Sequence, residues 1–515
     1  MKKRSETDGK TGRFSIYQHI SSIFAVMLVS IFLLAFPQNG YIGISDFKYN
    51  IFLVLCGGYC FAIIVIRTQL AITGIQPLGG AGSLYKGIPL AAKLFLLYLG
   101  FIIISAIISE HPGTFRGAFR DEGVLSYALY ILSSCFMARY FRPGKWLLWI
   151  SGISICLFCV LSFVQLTGAN PFALYPERWN YYSAEATNSS EYIGSIGNAG
   201  QSGAFLSIAA GVFAMALIKC DFSKNWQKWL LAITFFLTAL LIFEMNVDAA
   251  KLALAGGLLL MLPVMATSHY GISRTCSVFS AVLLAFAMSQ AVVFSDSGIG
   301  FTITRLTVFA LTAAGLTALL SNLAVRLGFF RKIPRKFYRA GTIALIALAV
   351  CSSFLYIWFY GGTSTGVIYE ISEIMRGRWH DSYGTGRAFI YRKTIENLRL
   401  QNLILGTGPD TFGYWEINFV LYTGMPELLV DAAHNEFLQI LATCGVPALL
   451  CYIGGIVCTV AQWYKDPGNA QRAISGAGFL FYIIQAQFNI SMPVSAAFFW
   501  LCFAIVSNSS IHVNK

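Results

Sequence analysis

A histidine, an asparagine and a glutamate stand together at the start of a long apolar run, AAHNEFLQILATCGVPALL (432–450). An imidazole ordinarily titrates near neutrality, so His434 could accept or donate a proton or orient a hydroxyl group. Asn435 and Glu436 are candidate supporting residues, and Glu436 either orients the imidazole or faces water. The competing interpretation is a histidine that only caps a helix or lies at a membrane interface. His434 is therefore a candidate catalytic residue whose role depends on the groups around it.

A second kind of chemistry comes from basic residues near the same predicted boundary. Arg387 follows YGTG (383–386) at the start of an amphipathic stretch, where a guanidinium and free backbone N–H groups would together bind a phosphate. Ionisable residues beside membrane spans are costly and are functional candidates by default. Several cations converging on one pocket would suit a diphosphate. The further candidates of this kind are Arg120, Lys251 and Arg305, with Arg116 in support.

No pattern in the sequence predicts a metal or any other cofactor. The sequence has no HExxH motif, Cys/His cluster or carboxylate cage. Its twelve cysteines lie almost entirely in apolar segments or at their ends, which is typical of small core residues. We therefore expect no cofactor, and chemistry that relies on the imidazole and guanidinium groups of the protein itself.

The composition of the chain predicts that membrane helices carry these residues. The 515-residue chain is 57% hydrophobic and 11% charged, whereas soluble proteins average about 25% charged residues. Apolar runs long enough to cross a bilayer recur along the whole chain. The sequence predicts an all-α polytopic membrane protein with about fourteen transmembrane helices, at approximately 16–36, 50–66, 89–109, 124–140, 146–166, 201–218, 229–246, 249–267, 275–294, 303–323, 341–360, 434–463, 472–489 and 492–508.

The distribution of basic residues predicts the orientation of these helices. The first 13 residues, MKKRSETDGKTGR, hold five Lys or Arg residues. With the N-terminus inside, about two thirds of the 36 basic residues fall on the cytoplasmic side. The N-terminal tail (1–15) and the C-terminal tail (509–515) are then both cytoplasmic. The net charge of +13 is mostly this orientation signal, so we expect membrane lipid and no nucleic acid as a partner.

One predicted loop is far larger than the others. Spans 1–11 occupy 16–360 and spans 12–14 occupy 434–508, which leaves 361–433 as an extracytoplasmic segment of about 70 residues. Loops of this length within a compact protein are usually functional. This segment is therefore expected to contribute to the site.

The composition of that segment predicts short helices on the outer surface. GRAFIYRKTIENLRLQ (386–401) has helical periodicity, with Ile395 and Leu398 on a face with Tyr391. GTGPDTF (406–412) is typical of a turn. Tyr391 is therefore a further candidate supporting residue.

The same residues carry a resemblance to a known family. HNEFLQILATCGVPALL after TGRAFIYRKTIENLRLQNLILGTGPDTF resembles the O-antigen ligase/polymerase superfamily. The pattern falls here on Gly386, Arg387, Gly406, Gly408, Phe412, His434, Asn435, Leu438 and Gly445. The resemblance is strongest over 383–450 and covers most of 95–508. Three further stretches are similar to the family: 119–131, 195–208 (with Asn198 as a candidate supporting residue) and 485–505.

The resemblance implies a glycosyltransferase in the cytoplasmic (inner) membrane, with its active site on the extracytoplasmic side. Members move a glycan from undecaprenyl diphosphate to a hydroxyl of a glycan, lipid or protein acceptor, without a metal or nucleotide sugar. By position, Arg387 and Arg120 would bind the diphosphate, and His434 would be catalytic or would position the acceptor. Where many relatives have Ser-Arg, this chain has VDAAKLAL with Lys251, which keeps the charge and loses the bidentate fork.

Several functions stay open on the sequence. A polymerase would use another lipid-linked repeat unit as acceptor, and we favour it because it needs no further machinery. An O-antigen ligase or a protein O-oligosaccharyltransferase would use the same donor with a different acceptor. A lipid-linked oligosaccharide flippase also suits fourteen spans, although such proteins often have two similar halves and short loops, unlike 361–433. A structural scaffold would not explain external cations beside membrane spans.

Overall fold

The computed structural model describes residues 16–73, 88–176, 179–183, 192–245, 247–326, 333–419, 428–466 and 468–508. The predicted cytoplasmic tails, 1–15 and 509–515, lie outside these residues. The described chain is mostly helical, and its helices are α1 (Ile16–Phe32), α2 (Ile44–Ile72), α3 (Leu90–Ile108), α4 (Val124–Tyr140), α5 (Lys145–Leu166), α6 (Ala199–Lys219), α7 (Asn225–Glu244), α8 (Asp248–Met265), α9 (His269–Ala291), α10 (Arg305–Arg326), α11 (Arg335–Trp358), α12 (Val367–Met375), α13 (Arg387–Asn397), α14 (Leu400–Leu405), α15 (Glu436–Lys465), α16 (Ala470–Gln485) and α17 (Pro493–Val506).

Strands are confined to three short antiparallel ribbons in the described residues. Only the middle ribbon exceeds two residues per strand, and its register pairs Val292 with Phe301. The ribbons are β1 (Tyr192–Ile193) with β2 (Gly197–Asn198), β3 (Val292–Ser295) with β4 (Gly298–Phe301), and β5 (Asn418–Phe419) with β6 (Leu428–Leu429).

The length and apolar composition of the helices are those of a membrane protein. Each of the fourteen predicted spans contains a helix. Ten helices in the described part of the chain are long and apolar enough to cross a membrane: α2, α3, α5 to α11 and α15. Two more, α1 and α17, are apolar but shorter. The chain is therefore a helical multi-pass membrane protein, while the number fourteen and the direction of each crossing stay predictions.

The bundle has an enclosed centre and an exposed apolar periphery. Helix α17 is buried at every residue, and α6 is the most enclosed of the ten long helices, packing against α7, α8 and α16. Small residues permit this approach, because a Cβ on Gly211 would lie only 2.7 Å from the carbonyl oxygen of Ala477. Helix α11 is the opposite case: Tyr338 alone is buried among its residues, all of which are described. It contacts mainly α8 and α12.

A break at Gly445 interrupts α15 and creates a contact that anchors the candidate site. Gly445 has φ +82 and ψ 175, outside the helical region, and Pro447 lacks the N–H that would bond back to the Thr443 carbonyl. The freed carbonyl accepts the Gly408 N–H at 2.8 Å and the Ser105 hydroxyl at 2.9 Å. The break therefore ties α15 to α3 and to the turn that follows α14.

Replacing Gly445 by alanine is expected to destabilise the protein by about 2–4 kcal/mol. Alanine disfavours a φ of +82, and its Cβ would overlap the backbone of Ile404 in α14. A lower melting temperature in nanodiscs measures the effect. Gly315→Ala in α10 is the matched control, because its added Cβ meets no atom within 4 Å. Equal melting temperatures for the two variants would contradict the prediction.

The segment between α11 and α15 is folded over most of its described length. It holds α12, α13, α14, a 3₁₀ turn (Phe412–Trp415) and the β5–β6 ribbon. A helix predicted over 386–401 is present as α13, and Ile395, on one face with Tyr391, is 63% exposed. The helix packs toward a small core around Phe412, against which Leu398 also packs. Its buried residues are Ala388, Ile390 and Thr394.

Candidate active site at the start of helix α15

The backbone that precedes α15 is fixed from two directions. Asn435 is the N-cap, and its side chain accepts the N–H groups of Phe437 and Leu438, each at 3.0 Å. The Tyr391 hydroxyl, on α13, donates to the His434 carbonyl at 3.1 Å. His434 itself has φ +49, a left-handed conformation that residues other than glycine adopt rarely. Asn435 and Tyr391 thus hold the backbone from which the imidazole projects.

The imidazole of His434 is neutral at pH 7. Burial, together with the positive charges of Arg387 and Arg120, lowers its pKa to about 4, against the opposing charge of Asp431. Both guanidinium groups therefore lie within electrostatic range of the same imidazole, although they come from segments far apart in sequence. We refer to His434, Arg120 and Arg387 as the arginine–histidine cluster.

Arg120 is presented by a loop that one buried carboxylate holds. Asp410, in the turn after α14, accepts through Oδ2 from the backbone N–H groups of Phe119 at 3.0 Å and Arg120 at 2.7 Å. The Arg120 guanidinium donates from Nη2 to Asp431 at 2.6 Å. Its Nε is buried without a hydrogen-bond partner among the described residues. Arg120 therefore keeps one N–H donor free within electrostatic range of the imidazole.

Arg387 can bind a phosphate through its guanidinium group and not through the backbone N–H groups at the start of α13. The backbone N–H groups of residues 387–389 donate to carbonyl groups of the turn 381–384, at 3.3, 3.1 and 3.3 Å. The expectation of free N–H groups at this helix start is therefore wrong, because the turn folds back onto them. The guanidinium donates from Nη1 to the Gly384 carbonyl at 3.3 Å, and Nε is buried with no partner in the part of the chain that is described. A phosphate would meet the guanidinium.

Glu436 occupies neither of its two predicted positions. The side chain is buried, and its carboxylate accepts from the hydroxyl groups of Tyr452 and Tyr482, the latter at 3.0 Å. It does not face water, and both oxygens are engaged by tyrosines and not by His434. Tyr452 lies further along α15 and Tyr482 on α16, so Glu436 fixes the packing of these two helices beneath the site.

A second buried carboxyl group lies in the Arg120 loop. Glu122 accepts at Oε1 from the Tyr130 hydroxyl at 2.6 Å, whereas Oε2 is buried without a partner among the described residues. Burial, with the nearby carboxyl groups of Glu436 and Asp410, raises its pKa to about 8, although the Tyr130 hydrogen bond lowers it. Glu122 is therefore mostly protonated at pH 7. With Arg120 it lines a cavity of about 20 Å³, room for roughly one water molecule.

The other predicted site residues have their own partners or lie elsewhere. Lys251 pairs with Asp248 one turn away in α8, at 3.1 Å. Arg305 is exposed at the start of α10, which packs mainly against α9. Arg116 is held by two carboxylates, at 2.8 and 2.9 Å. Asn198 accepts a backbone N–H at 3.1 Å as the N-cap of α6. In the described contacts none of these four reaches the arginine–histidine cluster.

Three carboxyl groups of the site were not predicted from the sequence. Asp410 stands in GTGPDTF with a left-handed φ of +59, and an acid in so constrained a turn is a signal that could have marked it. Asp431 precedes His434 by three residues and was a possible partner for a predicted cation. Glu122 follows Arg120 within FRDEG, but its burial has no signature in the sequence.

Titration of the imidazole is expected to detect both arginines directly. His434 should titrate near pH 4, well below its ordinary value of 6.5. Arg387→Gln and Arg120→Gln should each raise this pKa, because each removes a positive charge that disfavours the imidazolium. NMR of protein labelled in its histidine rings measures this, with Arg326→Gln at the far end of α10 as control. A pKa that neither arginine variant changes would contradict the cluster.

Comparison with known proteins agrees with the resemblance drawn from the sequence. Residues 290–453, about a third of the chain, match the family described as O-Antigen ligase. The match runs from the end of α9 to the middle of α15, so it contains Arg387 and His434, while Arg120 lies outside it. No curated protein matches the chain. Through residues 290–453, this multi-pass membrane protein is similar to the family described as O-Antigen ligase.

Proposed function

We propose that the protein is an extracytoplasmic glycosyltransferase that moves a glycan from undecaprenyl diphosphate to an acceptor hydroxyl. The family match indicates glycosyltransferase activity of the ligase or polymerase type. The observation that carries the proposal is the arginine–histidine cluster: two guanidinium groups, each with a buried and unpaired Nε among the described residues, lie within electrostatic range of a neutral imidazole. The two cations can bind the negatively charged diphosphate, and a neutral imidazole can accept a proton from the acceptor hydroxyl.

The proposed reaction is a direct displacement at the anomeric carbon. The acceptor oxygen bonds to that carbon while the bond to the diphosphate oxygen breaks, so the configuration inverts. Negative charge grows on the leaving diphosphate, and Arg120 and Arg387 stabilise it from fixed positions. His434 accepts a hydrogen bond from the attacking hydroxyl and takes its proton as the new bond forms.

Donor binding would also change the basicity of His434. In the free protein two positive charges lower its pKa, so the imidazole is a weak base. A bound diphosphate places negative charge beside the same guanidinium groups and offsets their effect. The pKa of His434 then rises, and the imidazole becomes a better base when the donor is present. The cluster would thus favour attack on the glycan only in the complex.

The membrane supports a lipid-linked donor. A polyprenyl chain reaches a membrane enzyme sideways through the bilayer, and α11 offers a helix whose apolar sides are exposed. The positive-inside pattern favours the cytoplasmic membrane with the cluster on the extracytoplasmic side. Polymerisation of cell-surface polysaccharide repeat units is the preferred reaction. The alternative is an O-antigen ligase or protein O-oligosaccharyltransferase, which would use the same donor with a different acceptor.

The deciding experiment uses purified protein in detergent with lipid-linked oligosaccharide extracted from the native host. Glycans of two or more repeat units, formed in the presence of EDTA, would support the polymerase. Transfer only after addition of lipid A-core or a protein acceptor would support a ligase. Absence of transfer, together with movement of the lipid-linked glycan across the bilayer of proteoliposomes, would overturn the proposal in favour of a flippase.

A further inference from the structure

A second, larger cleft opens beside the turn that follows α14. Its volume is about 480 Å³, within the range of about 300–1,000 Å³ typical of small-molecule sites. It lies between the end of α3, the end of α13 with α14, and the 3₁₀ turn Phe412–Trp415. The residues on which its chemistry depends are Glu110, His111, Asn397, Arg399, Asn402 and Tyr414.

One wall of the cleft is a flat aromatic surface. The rings of His111 and Tyr414 are stacked, with centroids 4.9 Å apart and planes 6° from parallel. Phe119 supports Tyr414 edge-on, with centroids 5.0 Å apart. Tyr414 is nonetheless 36% exposed. A surface of this kind packs well against the C–H face of a sugar ring, since both surfaces are flat and weakly polar.

The rest of the cleft offers unused polar groups. The side chains of Glu110, Asn397, Arg399 and Asn402 have neither a hydrogen bond nor an ion pair with any described residue. Two amides, a carboxylate and a guanidinium supply both donors and acceptors in one place. That mixture matches the hydroxyl groups of a sugar. It does not match a diphosphate, because the single cation is offset by a carboxylate.

The turn that lines this cleft also supports the arginine–histidine cluster. The Ser109 hydroxyl donates to the Thr407 carbonyl at 2.6 Å, and the Gly408 N–H donates to Thr443 at 2.8 Å. Asp410, two residues later, holds the loop that presents Arg120. The same short turn therefore forms one wall of the cleft and fixes one cation of the cluster.

We propose that this cleft is a carbohydrate subsite that binds a sugar residue of the acceptor glycan, through stacking on the aromatic surface formed by His111 and Tyr414 and hydrogen bonds to Asn402 and its polar neighbours. The assignment rests on the proposed glycosyltransferase function. In this assignment the cluster binds the diphosphate of the donor, and the cleft binds part of the glycan that supplies the attacking hydroxyl.

The test separates acceptor binding from the chemical step. Asn402→Ala and Tyr414→Ala are each expected to raise the KM for the acceptor about tenfold, with kcat and the KM for the lipid-linked donor within about twofold of wild type. The acceptor is the host oligosaccharide released from its lipid by mild acid. Asn322→Ala in α10 and Tyr270→Ala at the start of α9 are matched controls, exposed at the surface away from the cleft.

Direct binding keeps this inference distinguishable from the proposed function. Saturation-transfer NMR should show the released oligosaccharide binding to wild-type protein and not to Asn402→Ala. If the wild type transfers glycan while both cleft variants keep the wild-type acceptor KM, the subsite is wrong and the glycosyltransferase stands. If nothing is transferred but the oligosaccharide binds and Asn402→Ala loses it, the subsite stands alone. Absence of binding to the wild type overturns the subsite.

Discussion

Replacing Arg387 by alanine is expected to lower glycan transfer by about 10²–10³-fold, the loss that follows removal of a preorganised donor to a developing anion. Its Nε is buried without a partner among the described residues while Nη1 donates to the Gly384 carbonyl, so the fold leaves one N–H of the guanidinium for a ligand. The measurement is kcat/KM with lipid-linked oligosaccharide, with the amount of protein in the membrane determined alongside.

Arg387→Lys decides whether charge or shape matters at this position. Lysine keeps the positive charge but cannot present an N–H at the Nε position while a second nitrogen contacts Gly384. We therefore expect it to be nearly as poor as alanine, about 10²-fold below wild type. Arg326→Ala, which removes a guanidinium at the far end of α10, is the control and should keep full activity. Wild-type transfer by Arg387→Ala would remove the proposed diphosphate site.

Loss of the His434 imidazole is expected to lower transfer by about 10²–10⁴-fold, the usual contribution of a general base. Both His434→Ala and His434→Asn remove the ring. Asparagine is the cleaner variant, because it tolerates the left-handed φ of +49 far better than alanine does. Its melting temperature should match that of wild type, so that lost activity reports lost chemistry.

The opposite result would revive the structural interpretation of this histidine. A capping or interfacial role predicts that His434→Asn loses stability or insertion and keeps its specific activity. The structure already assigns the cap to Asn435, whose side chain accepts two N–H groups of α15. Full transfer by a well-inserted His434→Asn protein would therefore leave the imidazole without a role in the reaction.

Much of the helical fold could be predicted because apolar runs of membrane length are local in the sequence. Each predicted span contains a helix for that reason. The site was harder, because its contacts join distant segments. Asp410 holds the backbone of Arg120 across 290 residues, a relation that no local pattern reveals. The direction of Glu436 depends on Tyr482 in another helix, so the residue beside His434 points away from it.

Two of the differences could have been anticipated from local sequence. Lys251 follows Asp248 by three residues, a spacing that places both on one helix face and favours their ion pair. The glycine-rich turn before Arg387 reverses the chain tightly enough to reach the first N–H groups of α13. The exposure of Ile395 depends on the position of the small core around Phe412, which only the folded segment shows.

The exposure of α11 makes membrane thickness part of the working geometry of this protein. Its uncharged part, 341–358, extends about 27 Å, close to the hydrocarbon core of about 30 Å, so a thicker or thinner bilayer would change how the helix lies in it. Arg335 at one end and Trp358 at the other suit the two interfaces. The Trp358 carbonyl also accepts from Arg376 at 2.7 Å, at the end of α12. A change in acyl-chain length is therefore expected to alter the tilt of α11 and, through this hydrogen bond, the position of α12 in the segment that also contains Arg387.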